Sequence, residues 1–234
     1  MARHSVLQVY PPPGLAAPRP RYPRFLDLLS PSDRAFLLAR SVDKPLAKDQ
    51  MLYHQGDPSD NLFIVQSGAV KVHYIQGNGN SLIASYYREG MLVGAHGCTE
   101  WAGDHCWSAH AVVDSRVYWT RRAHLKELTA RSPSALAAVL AIAEFKNEQL
   151  KKLIRILAEP ALEDRIAMAL RHLGALYSID RGGETEIDGR FTHQELAEMV
   201  GASRQSVTTL LVPLERAGLV RREGRRIFIP AAQG

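Results

Sequence analysis

The chain has 234 residues, 46% hydrophobic and 23% charged, with a formal net charge of +5. That composition supports buried cores and excludes disordered or collagen-like chains. Two cysteines, Cys98 and Cys106, are too few for a secreted disulfide framework. The first residues show no signal-peptide pattern and no apolar run is long enough to span a bilayer, so the sequence reads as a cytoplasmic protein with no membrane partner.

Residues 1–23 hold Pro11, Pro12, Pro13, Pro18, Pro20 and Pro23 among few apolar side chains, which predicts a flexible, extended arm. Ser30 and Pro31 open a short helix to Ala39, serine as N-cap and proline in the first turn. From Asp43 to Thr120 the pattern changes to short strands broken by turns. Gln50–Tyr53 runs into Gly56-Asp57-Pro58, and Leu62–Val65 reads as a buried strand ending at Ser67-Gly68. Val70, Val72 and Tyr74 alternate with Lys71 and His73, the pattern of a half-buried strand with its apolar set on one face. Gly77-Asn78-Gly79 is a hairpin turn supplying positive φ, with Ser81–Tyr87 as the return strand. Gly90 and Gly94 bracket Met91–Val93, and Ala109–Val113 and Arg116–Trp119 complete a β-sandwich or jelly roll over residues 24–131.

Over residues 132–159 the period becomes helical. Leu136, Leu140, Ala143, Asn147, Leu150, Ile154 and Leu157 alternate in steps of four and three, an a/d seam sustained for about three heptads. A second copy of the chain satisfies such a seam; the other reading is a helix lying flat on the β domain. Asn147 on the seam fixes register at a cost in stability. Glu159-Pro160 stops the helix and marks a hinge. Over residues 160–234, Leu162–Tyr177 is an amphipathic helix and Asp180–Phe191 a short β segment.

Phe191–Leu211 is the most informative stretch. Thr192 and Glu195 form a capping box, Leu196, Ala197 and Val200 an apolar stripe, and Gly201 permits a tight turn. Ser203 caps the next helix, whose apolar face is Val207, Leu210, Leu211 and Leu214. Its opposite face offers Arg204, Gln205, Thr208 and Thr209, with Ser206 in the first turn. This is a helix-turn-helix for double-stranded DNA. Arg204 suits guanine and Gln205 adenine; Thr208 or Thr209 suits a phosphate or a thymine methyl, and Ser203 at the helix N-terminus a phosphate. Pro213 predicts a kink or a shortened second half. From Gly201 onward six arginines stand against two glutamates, so +4 of the +5 lies in the last 34 residues. Arg221–Ile229 reads as a hairpin around Glu223-Gly224, with Arg221, Arg222 and Arg225 along the DNA backbone.

Together, Gln55-Gly-Asp57, Leu62–Val65, Ser67-Gly-Ala-Val70, Gly90 with Gly94, the long helix, Thr192-His-Gln-Glu-Leu-Ala197 and Gly201-Ala-Ser-Arg-Gln-Ser-Val207 resemble the cyclic-AMP receptor protein/fumarate-nitrate regulator family across residues 25–230. The resemblance implies an α+β chain: a cyclic-nucleotide-binding-like β-roll (jelly roll), a dimerisation helix and a C-terminal winged helix-turn-helix. It implies a homodimer on an inverted repeat, with RNA polymerase as a further partner. The family often has Arg-Glu at the start of the recognition helix and Arg four residues after that Glu. Arg204-Gln205 and Thr209 stand there, which implies a different target site.

Nucleotide-binding members use a Gly-Glu pair for ribose and an Arg-Ser or Arg-Thr pair for phosphate. The matching positions are Gly94-Ala95 and His105-Cys106, so the effector pocket lacks the carboxylate and the fixed cation, and cyclic AMP is not the expected effector. His96, Cys98, His105, Cys106 and His110 are candidate haem or zinc ligands, or ordinary strand residues with cysteines buried as small apolar groups. An iron–sulfur cluster held by four cysteines of one chain is excluded. Thiol sensing, another small molecule such as a cyclic dinucleotide or an aromatic acid, and no effector at all also stay open. No phosphate loop, nucleophile elbow or zinc-protease helix points to an enzyme. A regulatory subunit that binds nucleotide without DNA leaves the winged helix unexplained.

Overall fold

The computed structural model describes residues 22–94, 103–180, 184–187, 191–224 and 226–230. The predicted arm falls almost wholly outside them. The chain divides into two compact units, with the division between Ile154 and Arg155.

In chain order the first unit holds α1 (Pro31–Leu38), β1 (Val42–Leu46), β2 (Met51–Tyr53), β3 (Asn61–Ser67), β4 (Ala69–Ile75), β5 (Ser81–Arg88), β6 (Leu92–Gly94), β7 (Ser108–Ala111), β8 (Ser115–Arg121), α2 (Arg122–Arg131) and most of α3 (Pro133–Ala158). Two four-stranded antiparallel sheets form, in the orders β1-β8-β3-β6 and β2-β7-β4-β5. This is the expected β-roll.

The unbroken apolar run Leu62–Val65 in β3 follows from burial on both faces. Phe63 and Val65 join Leu46, Val70, Val93 and Val117 in one core, whereas Leu62 and Ile64 join Phe25, Leu125, Leu128, Val139 and Ile142 in another. The helices therefore cover one face of the β1-β8-β3-β6 sheet, and β3 has no polar side to show. Ser30 caps α1 by accepting from the Asp33 amide at 3.2 Å, as expected. Asp33 is itself buried and accepts from Ser132 (2.7 Å) and Ser134 (3.2 Å), tying α1 to the start of α3. The sequence pattern does not announce α2, because its buried residues are only Leu125 and Leu128 in an otherwise polar stretch.

The expected alternation in β4 holds only for its first half. A bulge between Val72 and His73 inserts a step against β5, so His73 is buried at 7% exposure and Tyr74 turns outward at 41%. In the β4–β5 turn, Gly79 takes the positive φ of 82°.

The stripe read as a seam and a face lying on the β domain are two sides of the same helix. Ala135, Ala138, Val139 and Ile142 of α3 are buried in the helix-side core. Leu136, Leu140, Leu150 and Ile154 are 50%, 58%, 42% and 65% exposed, Asn147 is exposed and Ala143 half-buried. One chain thus leaves a long apolar stripe bare.

In the second unit α4 (Leu162–Tyr177) follows the break at Glu159-Pro160. It precedes β9 (Ser178–Asp180), β10 (Glu184–Ile187), α5 (His193–Val200), α6 (Arg204–Arg216), β11 (Arg221–Glu223) and β12 (Arg226–Pro230). The four strands make one sheet in the order β11-β12-β10-β9. Three helices with this sheet are the expected winged helix-turn-helix.

Candidate nucleic-acid interface and effector cavity

The helix-turn-helix is built from local chemistry. Both halves of the capping box form: the Glu195 amide donates to Thr192 Oγ1 at 3.1 Å, and the Thr192 amide to Glu195 Oε2 at 2.9 Å. Gly201 ends α5 in the left-handed region at φ 61°, which a side chain rarely adopts, and Arg165 of α4 donates to the Val200 carbonyl at 2.9 Å. Ser203 then caps α6 by accepting from the Ser206 amide at 3.1 Å. Leu196, Ala197, Val200, Val207, Leu211 and Leu214 are at most 1% exposed, so the inner faces of both helices are sealed. Leu210, expected on that face, is only half-buried.

The outer face of α6 carries Ser203, Arg204, Gln205, Thr208 and Thr209, all exposed, with Ser206 half-buried beside them. Thr208 and Thr209 donate their hydroxyls to the Arg204 and Gln205 carbonyls at 2.8 and 3.0 Å. The expectation that Pro213 shortens α6 is corrected. The helix continues to Arg216, because only one amide donor is lost and the Ala217 amide still reaches the Pro213 carbonyl at 2.9 Å.

Of the wing arginines, Arg222 is held within the head. Arg222 turns inward, donating to Glu215 of α6 at 2.5 Å and meeting His193 Nε2 at 3.2 Å; His193 Nδ1 in turn lies 2.8 Å from Thr208 Oγ1. Arg222 is therefore a strut between the wing, α5 and α6. Burial, and then the Arg222 and Arg204 charges, hold the His193 pKa below the usual imidazole value. Arg221 pairs with Glu223 and lies over the Phe228 ring at 4.0 Å. Arg226, one of the six C-terminal arginines, is bidentate to Glu186 at 2.6 and 2.7 Å. Arg225 lies outside the described residues.

In the β-roll unit a cavity of about 330 Å³ opens between the β2-β7-β4-β5 sheet and α3. Of the expected pocket residues, Gly94, His105 and Cys106 line it; Ala95 lies outside the described residues, as do His96 and Cys98. His105 is clamped by backbone bonds, Gly56 N to its carbonyl at 2.7 Å and its own amide to Asp57 O at 2.8 Å. Its ring stacks on Tyr53 at 3.6 Å and 10°, and burial lowers its pKa, so it is mostly neutral at pH 7. Cys106 is an exposed free thiol, which corrects its reading as a small buried group. His110 packs edge-on against His73 at 4.8 Å. Among the described residues no three His, Cys, Asp or Glu side chains gather as a metal site.

Among the cavity residues missed in the sequence are Lys146 and Gln149 of α3. Lys146 Nζ donates to the Gly94 carbonyl at 3.2 Å and sits 5.2 Å from the Tyr87 ring centre. Desolvation pulls its pKa down to about 7. Gln149 is 5% exposed, and its Oε1 has no hydrogen-bond partner. The signal was present: Ala135, Val139, Ile142, Lys146, Gln149 and Leu153 form a second stripe in steps of four and three, parallel to the seam and broken by two polar side chains.

A β-roll followed by a winged helix-turn-helix with an exposed polar face defines a class of DNA-binding transcription regulators. A cyclic nucleotide-binding domain model matches residues 43–132 and a Crp-like helix-turn-helix domain model residues 164–234. An anaerobic regulatory protein of Pasteurella multocida is 27% identical over 188 residues, 80% of this chain and 67% of that protein. The transcriptional activator protein Anr of Pseudomonas aeruginosa is 25% identical over 187 residues, 80% of this chain and 75% of its own. The solved structure of the c-di-GMP-responsive global regulator CLP of Xanthomonas campestris matches with a TM-score of 0.72 at 22% identity, over 87% of this chain and all of that one. The chain belongs to the cyclic-AMP receptor protein/fumarate-nitrate regulator family and is a DNA-binding transcription regulator.

Proposed function

We propose that the protein acts in the cytoplasm as a homodimer on an inverted repeat, each α6 entering a major groove roughly 34 Å from its mate. The observation that carries this is the pairing on α6 of an exposed Arg204, Gln205, Thr208 and Thr209 face with a sealed Val207, Leu211 and Leu214 face. Arg204 and Gln205 read base edges; Thr208 and Thr209 contact phosphate or a thymine methyl. Ser203, Ser206 and Thr192, at helix N-termini, take phosphates. Arg221 and Arg225 border the wing, while Arg222 supports the head from within. The bare stripe of α3, Leu136, Leu140, Leu150 and Ile154, supports a second copy as its cover, with Ala143, Asn147 and Leu157 completing the seam. Bound DNA and RNA polymerase are the partners of the active form.

The β-roll cavity is the effector site. Cyclic AMP fits it poorly: His105 stands where a fixed cation would meet the phosphate, and it is buried, stacked and mostly neutral. Selection of bound duplexes from a randomised library tests the reading, with an inverted repeat as the expected product. On that repeat Arg204→Ala is expected to cost about 1–3 kcal/mol and to relax preference at one position of each half-site. Equal weakening on every sequence would show that Arg204 only neutralises phosphate.

A further inference from the structure

The cavity has a composition of its own. Its walls are aromatic: Tyr53 with the stacked His105, Tyr87, and Trp107. Its volume, about 330 Å³, is at the small end of ligand cavities, which run to roughly 1,000 Å³. Among the described lining residues Lys146 is the one lysine or arginine, and it comes from the helix rather than the strands. One turn further along the same face, buried Gln149 holds an acceptor oxygen with nothing to accept from. A buried unpaired acceptor costs stability, and a cavity beside it lets a ligand relieve that cost. The Gly94 carbonyl accepts from the Lys146 Nζ at 3.2 Å and is neutral, so it supplies no counter-charge.

Building on the effector-site reading above, we propose that this cavity binds a compact planar aromatic acid. Its carboxylate meets Lys146, its ring lies among Tyr53, Tyr87 and Trp107, and a ring hydroxyl or N–H donates to Gln149 Oε1. The spacing of Lys146 and Gln149, three residues apart on one helix face, places the two polar groups of the ligand on neighbouring edges of its ring. Asp104, also in the wall, disfavours a second negative charge and so selects monoanions. An occupant held from α3 reports directly to the helix that carries the exposed seam.

Calorimetric titration of the full-length chain without DNA tests this, using 2-, 3- and 4-hydroxybenzoate, indole-2-carboxylate, unsubstituted benzoate, the matching neutral amides and cyclic AMP. At least one hydroxy- or indole acid is expected to bind saturably, at least tenfold tighter than its amide and than cyclic AMP. Lys146→Met is expected to lose tenfold or more, and Lys146→Arg, which keeps the charge, to retain most of the affinity. Gln149→Leu is expected to weaken the hydroxy- and indole acids while leaving benzoate unchanged. The proposal is overturned if no acid of the panel binds the native chain, if Lys146→Met binds the acids as tightly as native, or if cyclic AMP binds more tightly than every acid. Because no DNA is present, failure here leaves the α6 reading standing, and failure of duplex selection leaves this one standing.

Discussion

Lys146 is the residue whose chemistry departs furthest from its sequence appearance. An ammonium on a helix face is ordinarily a solvated charge. Here desolvation brings its pKa from 10.5 to about 7, while Tyr53, Tyr87, Asp104, His105 and Cys106 share the cavity. The sign follows from linkage. The unfolded chain binds this proton more tightly, so the penalty is present in full below pH 7 and disappears as pH rises towards 10.5. Lys146→Met is therefore expected to raise stability near neutral pH by on the order of 1 kcal/mol or more, with the gain vanishing at high pH. Urea denaturation of native and variant protein across that window checks it; a pH-independent difference contradicts it. His193 and Arg222 make the same point for the head. A basic wing reads as a phosphate surface in the sequence, yet Arg222 is already held by Glu215. Charge runs reveal sign but not partner, and the partner lies on a different element.

At the scale of elements, legibility followed how local the determining forces are. Caps, turns and amphipathic periods act within one turn or one hairpin, so α1, α4, α5 and the start of α6 lie where Ser30, Pro160, Thr192 and Ser203 put them. The β4 bulge is set by the register against β5, which no single strand encodes, and it reversed His73 and Tyr74. The length of α6 past Pro213 depends on tertiary burial of Leu214 at 1% exposure, which outweighs one missing hydrogen bond. The two faces of α3 were half legible. The seam was plain, but the inner stripe was masked because Lys146 and Gln149 interrupt it. The seam itself is testable: Leu150→Glu is expected to give monomers with poor operator binding, since a charge replaces an apolar knob at the middle of the stripe. Sedimentation velocity reads the outcome, and an intact dimer with native DNA affinity contradicts the seam assignment. Leu150 also lines the cavity.

Along the whole chain, α3 and the break at Glu159-Pro160 stand in sequence between most of the cavity-lining residues and α6. Ligand control requires that the occupant bind one arrangement of the dimer better than another; affinity alone shifts nothing. Among the described residues no helix is long and apolar enough to cross a membrane, and the last 34 residues, which include α6 and the wing, carry six arginines against two glutamates. DNA affinity is therefore expected to fall steeply with salt. The most direct test of the central claim is a change of specificity at α6. Duplex selections run side by side with the native chain and with Gln205→Glu should return the same inverted repeat except at one symmetric pair of positions, where adenine gives way to cytosine. Identical consensus sequences from both proteins, or no duplex retained by the native chain in any ligand state, would contradict the assignment of α6 as the reading element.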